Sequence, residues 1–466
     1  MAKLVPNWIK RLVAARRTDW TGCIDFGTAY SKVAMVVAEN RNDLQPADIR
    51  PLPIGRNVAL NPFLLPSIVF VADESVMFAA DAERAALRQQ QSGREALSSP
   101  KQYLSTHEPD DLDQSLPKSI DPTSSYTARH LLTLYLAHLL ARAEAAAHEQ
   151  SLPWPPKLRI ARPAWKSDRA SWGEATLRQL VKRAFVLVDI LGDKLTDGSG
   201  VPHAAALAAL SALSETPEVP DSDIFALSAS GDATVLEATA VAAGSIRPTG
   251  RRIVVVADIG GGTSDFAAFM TGLAGKDVVA ELQGSAEVLR EAGDHLDMLL
   301  RAYILRQAGL LPDDPAARGP SNRIRSRQRT YKEELFNNGR LVVEVNDSFV
   351  EVSLADFLSD DRVAAFSQRL RDKFLFSLDK AIECARSFSA QRRVPIEVMP
   401  TGGGHALPMV QEMIEQVDRD WNFVAASPDL FQANNPDFSA AVRQLTVSIG
   451  GAVRDLPKQT APVQIT

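Results

Sequence analysis

The alternation of apolar and polar residues along the chain predicts short strand hairpins separated by helices. Two apolar runs, Cys23–Val37 and Val254–Phe269, are each interrupted by an acidic residue and a glycine-containing turn. A third run, Ile396–Ile414, passes through three consecutive glycines, after which its apolar residues recur at helical spacing. We therefore predict two strand-turn-strand units and one strand-turn-helix unit.

The rest of the sequence also alternates between segments with helical periodicity and segments with strand-like alternation. Helical periodicity predicts helices over Ser124–Glu149, Trp172–Val188, Val201–Leu213, Ala292–Gln307 and Arg362–Ser387. Strands are predicted in LLPSIVFVADESVMF, in LRIARPAW, near Val279–Gln283, and as a pair in LVVEV and FVEVSLADF. Residues 214–250 are rich in Ser, Thr, Gly and Ala and poor in helix signals, so we expect an irregular or β insertion there. Hairpins that alternate with helices indicate an α/β architecture with mixed sheets.

Composition narrows the class of protein. A chain of 466 residues with 45% hydrophobic residues can bury a large core and suggests two or more domains or lobes. A net charge of −6 gives no long-range attraction for nucleic acid, so no nucleic-acid partner is expected. With only two cysteines, Cys23 and Cys384, neither a disulfide framework nor a zinc site is expected, which fits a reducing cytosol. A bound metal would need oxygen ligands.

The N-terminus and the apolar runs bear on localisation. No apolar run approaches the roughly 20 residues that span a bilayer, and the first residues lack the features of a signal peptide, so we expect a cytoplasmic protein. Residues 1–20, MAKLVPNWIKRLVAARRTDW, form an amphipathic basic extension that could contact a membrane surface or dock on the protein or a partner. Docking is favoured, because one or two such turns bind lipid weakly.

The glycine turns carry the candidate chemistry. In VVVADIGGGTSDFAAF the glycines are compatible with a plain hairpin, or with backbone N–H groups that close around a phosphate while Asp258 holds a hydrated metal ion. The same phrase of acid, glycine and threonine occurs earlier in CIDFGTAYS, with Asp25 as the acid. Two similar strand-turn-strand halves suggest one site that is built from both.

With these pieces in this order, the sequence resembles the actin-like ATPase superfamily, and within it the nucleotide-binding domain of the seventy-kilodalton heat-shock chaperone family. CIDFGTAYSKVAMV, VVVADIGGGTSDFAAF and VMPTGGGHALPMVQEMI carry the resemblance, supported by LLPSIVFV, SPKQYL, VPHAAALAAL, EAGDHLDMLL and TVSIGGAV. It runs from Thr21 to Ala452. The resemblance implies an actin-like two-lobed ATPase fold of duplicated ribonuclease-H-like mixed sheets flanked by helices. Lobe I would comprise residues 21–250 and 436–466, and lobe II residues 251–435.

The resemblance also implies a site for ATP or ADP and Mg²⁺ between the lobes. The residues expected to bind the nucleotide are Gly27, Thr28, Ala29, Tyr30, Gly260, Gly261, Gly262, Thr263, Lys332, Gly402, Gly403 and Gly404. The expected metal ligands are Asp25 and Asp258, with Asp265 beside a monovalent cation such as K⁺ or acting only as a turn-stabilising residue. The expected catalytic residues are Lys101, Thr263, Asp258 and Asp25, since phosphoryl transfer needs positioning and charge compensation.

Several positions depart from the family pattern. The small-residue helix normally opens with an acid, and here Val201 stands at that place in VPHAAALAAL, which predicts slow or absent hydrolysis. Ala406 replaces the flat side chain that stacks on adenine, and the neighbouring His405 either substitutes for it or has no role. Arg329 and Glu333, which flank Lys332, have charges swapped relative to the family.

The tail after Ala452 is shorter than the roughly 40 residues of the smallest autonomous domains, so we expect no peptide-binding domain. The sequence therefore favours an ATP-binding, heat-shock-70-like switch or chaperone that acts on a protein partner in a hetero-complex. The alternatives are a filament-forming cytoskeletal or plasmid-partition ATPase, a small-molecule kinase of the same superfamily, and a pseudo-ATPase scaffold.

Overall fold

The computed structural model describes residues 19–37, 45–57, 59, 61–89, 93–163, 165, 167–216, 219–227, 233–246, 250–272, 279–311, 314–346, 348–387, 394–416, 424–425 and 435–459. Apart from its last two residues, the amphipathic extension predicted at 1–20 lies outside these ranges. None of the described helices is both long and apolar enough to cross a membrane.

The described chain alternates strands and helices, as the apolar pattern predicts. Its strands are β1 (Thr21–Asp25), β2 (Tyr30–Val36), β3 (Ile49–Pro51), β4 (Leu65–Pro66), β5 (Ile68–Val71), β6 (Ser75–Phe78), β7 (Leu97–Ser98), β8 (Lys157–Arg162), β9 (Val201–Pro202), β10 (Thr234–Leu236), β11 (Ile253–Ile259), β12 (Ser264–Thr271), β13 (Val279–Glu281), β14 (Glu287–Leu289), β15 (Arg340–Val345), β16 (Ser348–Ser353), β17 (Ile396–Thr401), β18 (Val424–Ala425) and β19 (Lys458–Gln459). Its α-helices are α1 (Ala79–Arg88), α2 (Gln102–Thr106), α3 (Ala128–Glu149), α4 (Ser167–Leu191), α5 (His203–Ala212), α6 (Asp221–Ile224), α7 (Glu237–Ser245), α8 (Gly293–Gln307), α9 (Arg318–Asn338), α10 (Leu354–Leu358), α11 (Asp361–Ser387), α12 (Pro408–Glu415) and α13 (Pro436–Ala452).

Two large mixed sheets repeat one strand order. The first sheet is ordered β10-β8-β1-β2-β3, and the second is ordered β18-β17-β11-β12-β13. In each sheet the first three of these strands are parallel, the fourth pairs antiparallel with the third, and the fifth pairs antiparallel with the fourth. β11 is buried along its whole length, which explains its continuous apolar sequence, because both faces of such a strand are covered. The chain is thus a mixed α/β protein with an internal duplication of topology.

Helices α7 and α13 join the two sheets. α7 follows β10 of the first sheet but contacts β11 and β12 of the second, whereas α13 follows β18 of the second sheet and contacts β1, β2 and β8 of the first. The two helices also pack against each other so closely that a Cβ on Gly450 would lie 1.7 Å from the carbonyl oxygen of Ala240. One cluster of buried apolar side chains draws on both sheets and both helices.

The prediction of an irregular or β insertion over residues 214–250 is right for the strand β10 and wrong for the helix α7. Thr234–Leu236 forms the edge strand β10 of the first sheet, and Glu237–Ser245 forms the buried helix α7 rather than an irregular or β segment. The composition of α7 is ambiguous, because its Thr, Val, Gly and Ser residues offset the high helix propensity of its alanines. Tertiary packing against α13 and the second sheet stabilises it instead.

Two smaller sheets lie outside the duplicated pair. β7, β5, β6 and β9 form a four-stranded sheet next to α1, and β15 pairs with β16 as a hairpin after α9. Alternate residues of β15 are exposed and buried, which is the pattern of a strand with one solvated face. The predicted strand pair LVVEV and FVEVSLADF is confirmed as far as Ser353, but Leu354–Leu358 forms the helix α10 instead of continuing the second strand.

Candidate functional site

A cavity of about 340 Å³ opens where turns of the two large sheets meet. Its volume lies within the range of about 300–1,000 Å³ that is usual for small-molecule sites. The residues that line it are Asp25, Gly27, Thr28, Ala29, Tyr30, Lys32, Lys101, Glu237, Asp258, Gly260, Gly261, Gly262, Thr263, Gly293, Asp294, Arg329, Lys332, Glu333, Phe336, Asn337, Gly402, Gly403, Gly404, Ala406, Leu407, Pro408, Gln444 and Val447. All three glycine turns singled out in the sequence therefore reach one cavity.

The β1–β2 and β11–β12 turns lie at contact distance from each other. A Cβ on Gly262 would be 2.7 Å from Thr28 Oγ1, and one on Gly261 would be 3.2 Å from the Cβ of Ala29. Within the first turn, a Cβ on Gly27 would be 2.0 Å from the carbonyl oxygen of Tyr30. Glycine is required because larger residues would collide across the gap. At the cavity wall the glycines carry no side chain, so a ligand can approach the backbone of the turns closely.

The third turn is fixed against the end of β11. Gly402 has a φ of +78°, and its N–H donates to the carbonyl oxygen of Arg443 at 3.0 Å. The N–H of Gly404 donates to the carbonyl oxygen of Ile259 at 2.8 Å. A Cβ on Gly402 would lie 2.3 Å from that same carbonyl oxygen. The predicted unit of strand, glycine turn and helix is confirmed as β17, Gly402–Gly404 and α12.

Asp25 and Asp258 occupy equivalent ends of β1 and β11, and both are buried. Asp25 Oδ2 accepts a hydrogen bond from Lys32 Nζ at 2.8 Å, and Asp258 Oδ1 accepts one from Thr401 Oγ1 at 3.1 Å. Burial, together with the nearby carboxylates of Glu237 and Asp25, raises the pKa of Asp258 to about 7. A carboxyl in this environment is stabilised by any cation that enters the cavity.

Lys101 and Glu237 form a buried ion pair at the same wall. The Lys101 ammonium donates to the Glu237 carboxylate, and both side chains are almost fully buried. Burial on its own would lower the pKa of Lys101, but the charges of Glu237, Asp25 and Asp265 outweigh it and raise the pKa above its ordinary value. Lys101 therefore stays charged inside the protein, within a group of carboxylates.

One face of α9 lines the opposite wall. Arg329, Lys332, Glu333, Phe336 and Asn337 all reach the cavity, and their spacing places them on one stripe of the helix. The Lys332 ammonium is 2.7 Å from Asp297 Oδ1 and donates to the carbonyl oxygen of Gly293 at 2.9 Å. This face of α9 therefore presents charged, aromatic and amide side chains to the cavity that Ala406–Pro408 also line.

Contacts across the cavity join the two halves of the chain. The Arg329 guanidinium lies over the ring of Tyr30, 5.0 Å from its centroid, and donates to the carbonyl oxygen of Ala29 at 3.4 Å. Asp294 Oδ2 accepts from Ser99 Oγ at 2.8 Å and from Gln102 Nε2 at 3.0 Å. Any opening of the cavity along this line must break these contacts.

The structure brings together most of the residues that the sequence singles out, with three exceptions. Asp265 lies directly opposite Asp258 in the β11–β12 hairpin, buried behind the lining residues. His405 does not line the cavity, and its Nδ1 lies 2.8 Å from the carbonyl oxygen of Gly402. Val201 is in β9, paired with β6 in the four-stranded sheet, and does not line the cavity. The expectation that Val201 occupies the position of an acidic residue at the site is therefore wrong.

Sequence reasoning missed Glu237 and Lys32. Glu237 opens α7, a helix of small residues, but its partner Lys101 is 136 residues away and no local pattern joins them. Lys32 could have been found by counting across the first turn, because the hairpin register places it opposite Asp25. The apolar alternation of β2 also places Lys32 and Asp25 on one face.

The donor set at the cavity suits a hydrated Mg²⁺ ion bound with a phosphate ligand. Among the described residues no cluster of three or more His, Cys, Asp or Glu side chains could hold a metal by itself. Mg²⁺ commonly keeps several waters and uses one or two carboxylates plus substrate phosphates. Asp25 and Asp258 at the cavity wall fit that requirement.

A scan against models of protein families matches none, and a search of curated proteins finds no match.

Proposed function

We propose that this protein is an ATP-binding switch with an actin-like, two-lobed fold that acts on a protein partner. The observation that carries the proposal is the placement of the β1–β2 and β11–β12 glycine turns face to face, each beside a buried aspartate. Converging main-chain donors suit a polyphosphate, and carboxylates at the same point suit its metal ion.

The duplicated sheets support the two-lobed assignment. In each large sheet two parallel strands lie on one side of an antiparallel hairpin. In both sheets the candidate residues lie at the turn of that hairpin. α7 and α13 lie between the sheets, so a change in the angle between the lobes would shift both helices. The contacts of Arg329 and Asp294 across the cavity are the ones that a bound nucleotide would strengthen or replace.

Glu237 supports ATP hydrolysis as part of this function. The family pattern expects an acidic residue at the start of a helix beside the metal, and Val201 does not provide it. Glu237, the first residue of α7, places a carboxylate at the cavity wall. With Lys101 it forms a pair of opposite charges next to Asp25 and Asp258. Bound Mg²⁺ would neutralise phosphate charge, while Lys101 compensates charge on the transferred group and Glu237 orients water. Slow ATP hydrolysis is therefore expected rather than none.

Titration calorimetry with ATP and Mg²⁺ tests the proposal. Wild type should bind about one ATP per chain, and Asp258→Ala should weaken binding at least about tenfold because it removes a metal ligand. Asp113→Ala is the matched control, since Asp113 is an exposed aspartate paired with Arg129 and does not line the cavity. No ATP binding by the wild type, or equal losses in both variants, would contradict the proposal.

Further measurements on the same sample separate the alternatives. Phosphate release without detectable assembly supports a switch, whereas ATP-dependent sedimentation would favour a filament-forming ATPase. Tight binding with no turnover, alone or with lysate added, would favour a pseudo-ATPase scaffold. ATP consumption that depends on an added sugar would favour a kinase.

A further inference from the structure

The turn that carries Lys101 begins at a residue with an unusual backbone conformation. Ser99 has a φ of +56°, in the left-handed region that residues with a Cβ rarely adopt. Its carbonyl oxygen accepts from the N–H of Gln102 at 2.9 Å, so Pro100 and Lys101 are the two central residues of the turn. A conformation of this kind persists only where the surrounding structure holds it in place. Ser99 must therefore be fixed by contacts outside the turn.

One set of contacts ties Ser99 to the first glycine turn. The N–H of Ser99 donates to the carbonyl oxygen of Ser67 at 3.1 Å, and the N–H of Ser67 donates to the carbonyl oxygen of Ala29 at 3.0 Å. Ser67 is itself buried, with its Oγ 2.9 Å from Ser31 Oγ. Ser99 is thus two hydrogen bonds away from the β1–β2 turn.

A second set of contacts ties the turn of Lys101 to the second glycine turn. Asp294 Oδ2 accepts from Ser99 Oγ at 2.8 Å and from Gln102 Nε2 at 3.0 Å, so both ends of the turn are bound to one carboxylate oxygen. The N–H of Asp294 donates to the carbonyl oxygen of Gly261 at 2.7 Å. The position of Asp294 is therefore set by the β11–β12 turn.

Ser99 stands where these two paths meet. The hydrogen bonds form one continuous chain between the glycine turns, through Ala29, Ser67, Ser99, Asp294 and Gly261. Ser99 is buried and does not line the cavity of about 340 Å³, whereas Lys101 does. Any effect of the Ser99 hydroxyl on a ligand must therefore pass through the residues that do line the cavity.

Resting on the proposed ATP binding and hydrolysis, we propose that Ser99 is a positioning residue that aligns Lys101 with both glycine turns. Glu237 binds the ammonium, whereas Ser99 fixes the main chain from which the Lys101 side chain extends. The chain of hydrogen bonds stays intact only while the two turns are in contact, so Lys101 is correctly placed only when the lobes are closed. Errors of about 1 Å in the placement of a group can cost about 100-fold in rate. Removing the Ser99 hydroxyl should therefore slow hydrolysis without weakening the binding of ATP.

The first test compares Ser99→Gly with Ser124→Gly. Glycine tolerates the positive φ, so Ser99→Gly removes the hydroxyl without adding backbone strain. Ser124→Gly is the matched control, because Ser124 has a φ of +53°, is exposed and does not line the cavity. We expect Ser99→Gly to lower kcat for ATP hydrolysis about tenfold or more and to leave the ATP dissociation constant within about threefold of wild type. The control should change neither.

Two further readouts show whether Ser99 acts through Lys101. In a Lys101→Met background, Ser99→Gly should cause no further loss of kcat, because the placement of an absent ammonium has no effect. The affinity for ADP with aluminium fluoride, which mimics the transferred phosphoryl group, should fall about tenfold or more in Ser99→Gly, while the affinity for ADP alone is unchanged. Gln102→Leu, which removes the other donor to Asp294, should give the same separation.

These measurements separate failure of the role of Ser99 from failure of the proposed function. Thermal unfolding of each variant shows whether it is folded, and Gln102→Leu decides the test if Ser99→Gly is not. Unchanged kcat in Ser99→Gly, a parallel loss of ATP affinity, or additive losses with Lys101→Met would overturn the role of Ser99 while leaving ATP binding by the wild type intact. If wild type binds ATP without turnover, the comparison with aluminium fluoride decides. Absence of ATP binding by wild type would instead overturn the proposed function, and the role of Ser99 with it.

Discussion

Burial and charge act in the same direction on Asp258. Its carboxyl is 5% exposed and faces the carboxylates of Glu237 from α7 and Asp25 from β1, with Asp265 opposite on β12 and Lys32 as the nearby cation. The native state therefore retains a proton on Asp258 at pH values where the unfolded chain has lost it. The Asp258 carboxyl is therefore only partly ionised near pH 7 unless a cation binds in the cavity.

The stability of the ligand-free protein should depend on pH through this residue. Since the pKa of Asp258 rises from 3.8 to about 7 on folding, its contribution is fully present below pH 3.8 and is lost as the pH rises towards 7. Asp258→Asn removes this loss, so the variant should be more stable than wild type at pH 8 by on the order of 3 kcal/mol. Urea unfolding between pH 5 and pH 8 measures the difference.

The control for this pH dependence is Asp113→Asn. The Arg129 guanidinium lowers the pKa of Asp113, so this carboxyl is ionised throughout the range from pH 5 to pH 8. Its removal should leave the slope of stability against pH unchanged. A wild-type stability that does not fall over this range, or an equal change of slope in both variants, would show that Asp258 is not the group responsible.

Individual residues of the site differ in how far the sequence could identify them. Asp25 and Asp258 stand at the ends of strands next to glycines, so position and composition together mark them. Lys101 has no such local signal and was found only through the family resemblance. Glu237 was missed because its importance depends on a contact with Lys101 that only the folded chain creates.

Among the secondary-structure elements, the site depends on the packing of helix α7 against helix α13. Gly244 and Gly450 allow the helices to approach, and a Cβ on Gly244 would be 2.8 Å from the Cα of Gly450. α7 carries Glu237 at its first position, and α13 carries Gln444 and Val447 at the cavity wall. The packing of these helices therefore also positions groups of the site.

Gly450→Ala should push the two helices apart. The added methyl would meet the carbonyl oxygen of Ala240, so we expect a loss of about 3 kcal/mol or more in the free energy of unfolding. Gly319→Ala in α9 is the control, because Gly319 is exposed and a Cβ there would meet only the end of the Arg323 side chain, at 3.8 Å. Chemical denaturation of both variants should show destabilisation in the first and a neutral or stabilising effect in the second.

Helix α9 places Phe336 at the cavity wall. Its ring packs edge-to-face on Phe357, with centroids 6.4 Å apart, and it lines the same cavity as Ala406–Pro408. Phe336 thus offers the stacking surface that Ala406 lacks. Phe336→Ala should weaken ATP binding about tenfold or more, the value of one base-aromatic contact, and leave inorganic triphosphate binding unchanged.

Competition assays with ATP and inorganic triphosphate separate these effects. Phe376→Ala, which truncates a partly exposed phenylalanine of α11 outside the cavity lining, is the matched control. Equal losses for both ligands in Phe336→Ala would indicate a general disturbance of α9. Unchanged ATP affinity would place the base elsewhere.

At the level of elements the sequence is informative wherever local periodicity decides the structure. The three glycine turns, the helix pair α3 and α4, and the β15–β16 hairpin follow directly from their apolar patterns. The segment that contains α7 does not, because nine residues of mixed helix propensity do not decide the structure by themselves, and contacts with α13 and the second sheet stabilise the helix. Sheet order also could not be deduced, since β8 and β17 reach their partners from far along the chain.

The duplication of sheet topology explains the position of the site in the whole molecule. Equivalent strands bring equivalent turns to one cavity, and the tail beyond α13 adds β19 to the edge strand β13 of the second sheet. A nucleotide held by both turns would be coupled to the relative position of the two sheets. This coupling is the physical basis of the proposed switch.

Crystals grown with a non-hydrolysable ATP analogue and Mn²⁺ would test the central claim most directly. The account predicts triphosphate density in the cavity against Gly27–Ala29 and Gly260–Gly262, with the anomalous Mn²⁺ signal beside Asp25 and Asp258. Nucleotide density outside this cavity, or a protein that crystallises free of nucleotide at saturating concentration, would contradict it.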